Sequence, residues 1–586
     1  MEPFDLDEPE LRDRAVAAAR GDAPFDLLVR GAVIADVVTG EMRAADIGIC
    51  GPLIASVHPP ASRDDALQVV DADGLVATPG LIDSHMHVES SMVTPETYEA
   101  AVLPRGVTTI VWDPHEFGNV AGLAGIDYAL DCADRALLRI LPLVPSCVPS
   151  APGYETAGAD FDADVIDALL QRDGLAGLAE VMDMSAVIAR TPRMRGILQA
   201  GLRSGKPVCG HARSLEGRDL QAYVASGISS DHEITSSDDF LEKLRSGLTV
   251  ELRSSHPYLL PDCAAVLQEL PSMPPTVTFC SDDVFPDDLL ASGGVDQMLR
   301  LMIGHGLAPL RALQAATLNA ALRLGRPDLG LIAPGRRADI VLVRDLAGFE
   351  AVTVLRNGQP VRRDPRSSTV PDALRATCRL EPLTAENFSI GAQGPAARIA
   401  TVAKPRFTRW GERRLAVDQG KVTPTADLTM IAVVNRYGRA DTSPRVGFLE
   451  QWGIWRGAFA TTVSHDCHNL TVFGSNGSDM AMAANAVISW GGGMAVARHG
   501  QLRAVLPLPV AGLVSDRPLE EVARAFAAVR DAMGEVVDWE PPYLTFKALV
   551  GATLACNAGP HQTDLGIADP QGERLLVSPV LADGLE

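Results

Sequence analysis

Between Gly80 and about Gly325 the chain alternates short strand-like segments with segments of helical pattern, and this alternation restricts the fold more than any other feature. Helical patterns such as MRGILQAGLRSG and SDDFLEKLRSG separate most of the strand candidates. There are eight candidates: GLIDSHMH, GVTTIVWDPHE, LRILPLVPSCVP, GLAGLAEVMD, KPVCGHA, GISSDHE, LTVELRSS and TVTFCSDD. Eight βα units in about 245 residues predict an α/β fold with a TIM (β/α)8 barrel, whose active site lies at the carboxyl ends of the strands. Two smaller α/β units are the alternative.

Short strands separated by turns flank this region on both sides. Before the barrel, apolar runs alternate with the turn signals TG and CGP, after a segment of helical composition from Glu8 to Arg20. After the barrel, DLGLIAPGRRADIVLVRDL and FEAVTVLRNGQPVRR resume short strands, and further apolar segments follow from about Cys378. The predicted domains are an N-terminal helix with the first part of a small β domain at 1–78, the barrel at 79–330, the second part of the β domain at 331–376, and a C-terminal α+β domain at 377–586.

Histidines and carboxylates gather at the carboxyl ends of the predicted strands. Residues i and i+2 of a strand point to the same side, so His85, His87 and Glu89 share one face at the end of the first strand. Seven of the twelve histidines lie in the barrel region, and five of these follow predicted strands. Random scatter would not favour one rim, so the pattern indicates an active site there. The residues at strand ends are His85, His87, Asp113, His115, Glu116, Glu180, His211, His232, Glu233 and Asp282.

Four histidines and two carboxylates at this rim suffice to bind two divalent metal ions that share a carboxylate. Imidazole and carboxylate bind metals of intermediate hardness such as Zn, Mn or Fe. Two such ions acidify a bridging water to hydroxide, and Asp282 is the candidate that accepts its proton and delivers it to a leaving group. Taken singly, Asp282 or Glu180 would more often be a cap or salt-bridge partner, and His211 a core histidine. The predicted ligands are His85, His87, Glu180, His211, His232 and Asp282.

The composition restricts the partners and the compartment. A net charge of −23 and a pI near 4.9 argue against nucleic acid, whose phosphates require a basic surface. No apolar run is long enough to predict a membrane span, and the N-terminal segment lacks the apolar stretch of a secretory signal. The nine cysteines include no CxxC pair and suit free thiols in a reducing compartment. We therefore predict a cytoplasmic enzyme that acts on a small molecule, without nucleic acid or membrane partners.

Several motifs resemble known families. PGLIDSHMHVESS, the aspartate after the eighth strand and DLGLIAPGRRADIVLV are similar to the amidohydrolase superfamily, whose members pair a metal-bearing barrel with a β domain formed by both flanks. The finer resemblance is to the adenine deaminase family, in HMHVESSM, DPHEFGNV, PSCVPSAP, GLAEVMD, SDDVFPDDL, SHDCHN and LPLPVAGLVSD. DPHE, SDHE and HDCHN are the most specific of these motifs. The resemblance covers nearly the whole chain beyond about residue 25.

This resemblance implies hydrolysis of adenine to hypoxanthine and ammonia, in purine salvage or catabolism, at a binuclear metal centre. Mn²⁺ is the first choice, with Fe²⁺ or Zn²⁺ as alternatives. It also implies that hydroxide attacks C6 of the purine and that Glu233 or Glu89 protonates N1. The implied ligand sets are His85 with His87 for one metal, His211 with His232 for the other, Glu180 between them, and Asp282 as ligand and proton carrier. The candidates for substrate binding are Asp113, His115, Arg253, His465 and His468.

The sequence also allows other interpretations. As a bare motif, HDCHN from His465 to Asn469 indicates a turn between two strands, whereas the resemblance favours a contribution to the active site or an additional metal contact. Relatives usually carry Arg-Glu-Gly after the seventh strand, where Ser254 and Ser255 follow Arg253 here, and the residues after the eighth strand also differ. The alternatives are N6-methyladenine as substrate, another cyclic-amide hydrolase of the superfamily, or a metal-free scaffold. A homo-oligomer, dimer or larger, is expected.

Overall fold

An N-terminal helix and five strands open the chain in the computed structural model, which describes residues 5–362, 368–539, 546, 549 and 551–585. Helix α1, Pro9–Arg20, has a proline in its first turn and ends at Gly21, whose φ is 87°. Proline suits the first turn because its missing N–H has no helical partner there, and glycine adopts the left-handed conformation that ends the helix. The helix and the strands predicted for this flank are confirmed. The strands are β1 Phe25–Asp36, β2 Glu41–Cys50, β3 Leu53–His58, β4 Ala66–Asp71 and β5 Val76–Pro79.

Eight parallel strands follow, and we refer to them together as the parallel strand set. Each lies within one of the eight segments predicted as strands, so those predictions are confirmed. Their burial on both faces matches the continuous apolar runs of the sequence. The strands are β6 Leu81–Met86, β7 Val107–Trp112, β8 Arg139–Pro142, β9 Leu178–Val181, β10 Val208–Gly210, β11 Ser230–Asp231, β12 Thr249–Arg253 and β13 Val277–Cys280.

Parallel ladders and single bridges connect neighbouring members of this set. β6 to β8 form one sheet, β9 pairs with β10, and β11 to β13 form another sheet. A bridge between Val144 and Leu178 joins β8 to β9, and Ser229 N donates to Val208 O at 3.0 Å between β10 and β11. A bridge from Met86 to the residue two positions beyond β13 connects the last strand back to the first. The carboxyl ends of all eight strands therefore lie on one side.

At least one helix follows each of these strands. Polar caps fix three of the helices: Asp162 accepts the N–H groups of Asp164 and Val165, Asp183 accepts that of Ala186, and Ser236 Oγ accepts that of Asp239. The helices are α2 Pro95–Val102, α3 His115–Ala121, α4 Leu123–Arg135, α5 Ala163–Leu170, α6 Met184–Ala189, α7 Pro192–Ser204, α8 Gly217–Ala225, α9 Ser237–Arg245, α10 Leu260–Glu269, α11 Pro286–Ser292, α12 Val295–Gly304, α13 Pro309–Gln314 and α14 Ala320–Arg323.

After the parallel strand set the chain returns to the N-terminal sheet. Strand β14 pairs antiparallel with β5, and the sheet order is β16-β15-β14-β5-β1-β2-β3, with β4 beside β1. One sheet is therefore built from both flanks. Arg363, the last residue of the predicted strand segment, lies outside the described residues. The returning strands are β14 Ile340–Val343, β15 Ala351–Arg356 and β16 Gln359–Pro360.

The remaining chain forms a second, larger sheet with helices packed on it. The order of this sheet is β19-β18-β17-β21-β20-β24-β23-β25-β26, with β31 beside β17, whereas β22 pairs with β27 and β28 to β30 form a small sheet of their own. The helices are α15 Gly477–Ser489 and α16 Leu519–Val536. The strands are β17 Ala396–Ala403, β18 Arg409–Asp418, β19 Lys421–Val422, β20 Leu428–Val434, β21 Arg445–Glu450, β22 Ile454–Trp455, β23 Ala458–Thr461, β24 Leu470–Gly474, β25 Gly493–Arg498, β26 Gln501–Pro507, β27 Val537–Asp538, β28 His561–Thr563, β29 Gly566–Asp569, β30 Arg574–Leu576 and β31 Val580–Leu585.

A continuous apolar core joins this C-terminal region to the parallel strand set. The rings of Phe285, at the start of α11, and Phe526, in α16, lie 5.1 Å apart. A bridge between Val93 and Ser515 adds a backbone contact between the two regions. Within the described part of the chain, every helix is too short or too polar to cross a lipid bilayer. The structure is thus a mixed α/β fold with a C-terminal domain packed against strand ends that carry the predicted site.

Candidate metal centre and active site

The six predicted metal ligands meet at the carboxyl ends of the parallel strand set. His87 Nε2 lies 3.4 Å from Glu180 Oε1 and 3.5 Å from Asp282 Oδ1. His85 Nε2 lies 3.7 Å from the same Asp282 oxygen and 3.9 Å from Glu180 Oε1. The structure therefore brings together residues that are far apart in sequence. Each of the six is at most 5% exposed: His85, His87, Glu180, His211, His232 and Asp282.

Glu180 stands between two pairs of histidines. Its Oε1 faces His85 and His87, whereas its Oε2 lies 2.6 Å from His211 Nδ1 and 3.4 Å from His232 Nε2. The rings of His85 and His232 stack with their centroids 4.0 Å apart, which keeps the two pairs adjacent. One carboxylate thus offers one oxygen to each pair, which is the arrangement that a ligand shared by two neighbouring cations requires.

The spacings fit metal ligands. Nitrogen and oxygen atoms about 2.0–2.2 Å from one cation are about 2.8–3.6 Å apart at octahedral or tetrahedral angles. The contacts of His87 and His232 with Glu180, both 3.4 Å, fall in this interval and exceed the usual hydrogen-bond length. His85 Nε2 and His211 Nε2 are buried and have no hydrogen-bond partner among the described residues. Buried polar atoms need a partner, so the residues fit a divalent metal centre.

Backbone contacts orient two of these ligands. His87 Nδ1 lies 3.1 Å from Asp113 O. A carbonyl oxygen only accepts, so Nδ1 donates and Nε2 keeps its lone pair for a metal. Asp282 has a φ of 58°, a left-handed conformation that aspartate tolerates better than most residues and that recurs at functional sites. Its backbone N–H donates to His85 O at 3.1 Å, which fixes the two ligands relative to each other.

Arg253, at the end of β12, holds two carboxylates of the site. Its NH1 lies 2.7 Å from Asp282 Oδ2 and 2.8 Å from Glu233 Oε1, and Arg213 NH1 lies 2.6 Å from Glu233 Oε2. Burial alone would raise the pKa of Asp282, but the Arg253 guanidinium holds it well below its usual range. Burial would also raise the pKa of Glu233, which Arg253 and Arg213 hold well below its usual range. Both side chains are therefore carboxylates at neutral pH.

Glu89 lies apart from this group. Trp112 Nε1 donates to its Oε2 at 2.8 Å, and Phe117 N donates to its Oε1 at 3.4 Å. Burial and the neighbouring Glu116 raise the pKa of Glu89 well above its usual range. Among the described residues, Glu89 does not line the cavity that contains the ligands. Its predicted role as the proton donor to N1 stays a prediction, and Glu233 is the better placed of the two candidates.

His115 connects the ligand cluster to the C-terminal domain. Its Nδ1 lies 3.2 Å from Asp113 Oδ2 and 3.6 Å from Glu180 Oε1. Its Nε2 lies 3.6 Å from Oδ1 of Asp466, a residue of the HDCHN segment that the sequence analysis did not single out. Asp466 in turn lies 3.5 Å from His465 Nδ1. Of the candidates predicted to bind substrate, His115, Arg253 and His465 line the cavity.

His468 and Asp113 have different surroundings. His468 Nδ1 accepts the N–H of Ser464 at 3.2 Å, and its carbonyl oxygen accepts from Arg436 Nε at 2.6 Å. Asp113 accepts the N–H of His115 at 3.1 Å. Neither side chain is among the described residues that line the cavity. Asp113 Oδ2 lies 3.2 Å from His115 Nδ1, and the ring centroid of His468 lies 5.3 Å from that of His465. A contact with substrate stays a prediction for both.

A polar layer that the sequence analysis missed lies beneath the histidines. An oxygen of Glu251 and a ring nitrogen from each of His85 and His232 lie within 4.8 Å of one another. Glu251 is fully buried on β12, and its Oε1 lies 3.0 Å from Arg323 NH2. A carboxylate behind metal-binding histidines orients their rings and increases their basicity. The signal was available, because Glu251 and Arg253 alternate in TVELR as the two histidines do in the first strand.

A cavity of about 160 Å³ lies against the ligands. Its other side comes from the C-terminal region. Outside the HDCHN segment, the sequence analysis did not find the residues on this side, because no local motif marks them. A cleft of about 680 Å³ elsewhere, lined by Glu96, Arg105 and Asp296 among others, contains none of the predicted site residues. The chemistry therefore lies in the smaller cavity. Its C-terminal side includes Arg406, Thr408, Val463, Leu554, Asn557 and His561.

Fold and site together define a metal-dependent hydrolase of the amidohydrolase class. The amidohydrolase family matches residues 76–361, and the adenine deaminase C-terminal domain matches residues 405–573. Adenine deaminase 2 of Rhizobium meliloti (strain 1021) is 61% identical, covering 99% of both chains. Adenine deaminase of Klebsiella pneumoniae subsp. pneumoniae is 49% identical, covering 98% of this chain and 96% of that protein. The chain belongs to the adenine deaminase family.

Proposed function

We propose that this protein hydrolyses adenine to hypoxanthine and ammonia. The observation that carries the proposal is the position of Glu180 between two histidine pairs, inside a cavity closed by a C-terminal domain of the adenine deaminase type. Purine deamination needs an activated water at C6 and a protonated ring nitrogen, and a two-metal site with carboxylates beside it supplies both.

The ligand sets follow from the contacts around Glu180. His85, His87 and Asp282 would hold one cation, and His211 and His232 the other, with Glu180 shared. When bound, the two cations supply an acidified water and stabilise developing negative charge. Mn²⁺ is our first choice, with Fe²⁺ and Zn²⁺ as alternatives, because histidine and carboxylate ligands accept all three.

The protein's own carboxylates move the protons. Asp282 Oδ1 faces the ligand nitrogens while Arg253 holds Oδ2, so Oδ1 accepts a proton from the nucleophilic water and returns it to the departing amino group. Glu233 lines the cavity and is ionised, so it accepts the second proton of the nucleophilic water and delivers it to N1 of the purine. Arg253 and Arg213 neutralise the charge on Glu233, and His115 and His465 bound the cavity beside the base.

The architecture that we propose for this function is the one predicted from the sequence. The parallel strand set would be a (β/α)8 barrel at 79–330, with the small β domain from residues 1–78 and 331–376 and the C-terminal domain at 377–586. The substrate would be a purine base in the cytoplasm, and the active form a homo-oligomer. Sedimentation or light scattering of the metal-loaded protein tests the last point.

Ammonia release from adenine tests the activity. The protein is purified after growth with manganese and with iron sequestered, and its metal content is measured on the same sample. Turnover with about two metals per chain supports the proposal. Two metals without turnover on adenine, but with turnover on N6-methyladenine, would transfer the same mechanism to that substrate. A protein that binds no metal under these conditions would overturn the proposed function.

A further inference from the structure

Two polar side chains of the C-terminal domain face the cavity and have no part in the chemistry described above. Asn557 precedes β28, and His561 is the first residue of that strand. Both line the cavity together with the predicted metal ligands. The wall that they form is contributed by the C-terminal domain, whereas the ligands come from the parallel strand set.

The hydrogen bonds of His561 determine which of its nitrogens is free. Nδ1 lies 3.1 Å from Gly559 O, and because a carbonyl only accepts, Nδ1 carries the proton. The residue is 3% exposed, and burial lowers its pKa to about 4, so the ring is neutral. Nε2 therefore presents a lone pair. Among the described residues no group donates a hydrogen bond to this nitrogen.

Asn557 offers an amide oxygen without a partner among the described residues. Its Oδ1 is buried and accepts no hydrogen bond from the described residues. Buried amides are almost always paired, so an unpaired one beside a ligand cavity indicates a group that the ligand completes. The neighbouring polar groups are already engaged: Arg406 NH2 donates to Tyr258 OH at 2.5 Å, and Thr408 Oγ1 donates to Ala558 O at 3.3 Å.

The free purine base has groups that match this wall. Its imidazole ring carries one N–H and one bare nitrogen, and this ring lies opposite the N1–C6 edge. If C6 faces the metal ligands, the imidazole ring points away from them. A nucleoside differs at this point, because its sugar replaces the N–H at N9. An acceptor at the wall would therefore favour the base, because a site with a buried acceptor discriminates against ligands that lack the donor.

We propose that His561 Nε2 and Asn557 Oδ1 are two acceptors that face the imidazole N–H of the purine, so that this wall selects free bases over N9-substituted purines. The inference rests on the proposed function, since it needs C6 to face the metal ligands. It gives the C-terminal domain a role in specificity that is separate from the catalytic groups.

The test compares His561→Leu, which removes the acceptor, with His561→Gln, which retains one. His305→Leu, an exposed histidine outside the cavity, is the matched control. Binding of hypoxanthine and of 9-methylhypoxanthine to each metal-loaded protein is measured by calorimetry, together with kcat/KM for adenine and 9-methyladenine. Metal content and melting temperature identify any variant that is not folded as the wild type.

We expect His561→Leu to weaken hypoxanthine binding on the order of 10-fold and to raise KM for adenine similarly. Binding of 9-methylhypoxanthine should change by less than about 3-fold. His561→Gln should retain most of the affinity, and His305→Leu all of it. Equal losses for both ligands, or no loss for hypoxanthine, would overturn the inference. If His561→Leu does not fold, the same ligand comparison with His561→Gln and Asn557→Leu decides: preferential loss of hypoxanthine binding in Asn557→Leu supports the inference, and equal effects on both ligands overturn it.

The design separates this inference from the proposed function. In one outcome, the wild-type protein binds hypoxanthine preferentially through His561 but releases no ammonia from adenine. This result would refute the proposed reaction and support the role of His561 in base selection. A protein that deaminates adenine with unchanged selectivity in all His561 and Asn557 variants would keep the reaction and refute the wall. A metal-loaded protein that binds neither purine would refute both.

Discussion

The guanidinium of Arg253 joins Asp282 to Glu233 through a single nitrogen atom, at 2.7 Å from one carboxylate and 2.8 Å from the other. Asp282 follows β13 and Glu233 follows β11, so Arg253 on the intervening strand β12 spans both neighbours. Its charge leaves only Oδ1 of Asp282 directed at the ligand histidines. Arg253 therefore favours the ionised form of both carboxylates, alone among arginines for Asp282 in the described residues and together with Arg213 for Glu233.

Replacing Arg253 should change the pH dependence of the reaction. Arg253→Met removes the charge that holds the pKa values of Asp282 and Glu233 low, so both should rise. As the pH falls, a carboxylate with a raised pKa is protonated at a higher pH than before, and once protonated it can no longer accept a proton from water. We expect the acidic limb of kcat/KM against pH to move upward, and kcat at pH 7 to fall at least about 10-fold. Arg253→Lys retains the charge and should shift the limb less.

The outcome that contradicts this prediction is specific. If Arg253→Met lowers the rate but leaves the acidic limb in place, Arg253 binds substrate and does not control the ionisation of the carboxylates. The profiles should be recorded with metal content matched to the wild type, since loss of metal would also lower the rate.

Glu180 should control how much metal the protein retains. Glu180→Gln replaces a carboxylate that faces both histidine pairs with a neutral amide of the same size. An amide is a poor bridging ligand, so we expect less than half of the wild-type metal content by elemental analysis and no measurable deamination. Glu386→Gln, at an exposed site with a surface ion pair, is the matched control and should retain all metal. Full metal content in Glu180→Gln would refute the shared-ligand arrangement.

Glu251 should tune the metal site without contacting the cation. Glu251→Gln keeps the volume but removes the charge behind His85 and His232. Loss of such outer carboxylates typically weakens metal binding about 10- to 100-fold. Competition with a metal buffer measures the change, and the melting temperature of the metal-free protein reports packing separately. An unchanged metal affinity would show that Glu251 does not influence metal binding and that its ion pair with Arg323 is structural.

The predictable part of the site is the part that lies on regular strands. His85 and His87 follow from alternation in one strand. His211 and His232 follow from the tendency of active sites in such folds to lie at the carboxyl ends of the strands, which requires no knowledge of the packing. The same alternation in TVELR would have found Glu251. His561 could not be found in this way, because its contact with the cavity depends on how a domain about 300 residues later in the chain packs against the strand ends. Local patterns contain no information on that packing.

Two histidines of the HDCHN motif should behave differently when replaced. His465 lines the cavity, whereas His468 accepts the N–H of Ser464 and, through its carbonyl, a donor from Arg436. His465→Ala should therefore lower kcat/KM for adenine with little change in melting temperature. His468→Ala leaves the Ser464 N–H without its acceptor and should also lower the melting temperature, since an unpaired buried donor costs about 1–3 kcal/mol. Wild-type kinetics in both variants would show that this motif does not contribute to the reaction.

Glu155 should make the stability of the protein depend on pH. The carboxyl group is buried between the parallel strand set and the C-terminal domain, where Ser150 Oγ and Ala151 N donate to its Oε1 at 2.8 Å each. Burial, with a further contribution from Asp466, raises the pKa of Glu155 to about 8.

Between the unfolded pKa near 4.5 and the folded value near 8, the folded protein binds a proton that the unfolded chain releases, so this residue's contribution to stability falls as the pH rises. The slope is about 1.4 kcal/mol per pH unit for one group. Glu155→Gln has no proton to bind and should escape this loss. Its melting temperature relative to wild type should therefore rise steadily from pH 5 to pH 8, measured by calorimetry in buffers of equal ionic strength. Parallel melting curves for the two proteins across this interval would show that the Glu155 carboxyl group titrates normally in the folded state.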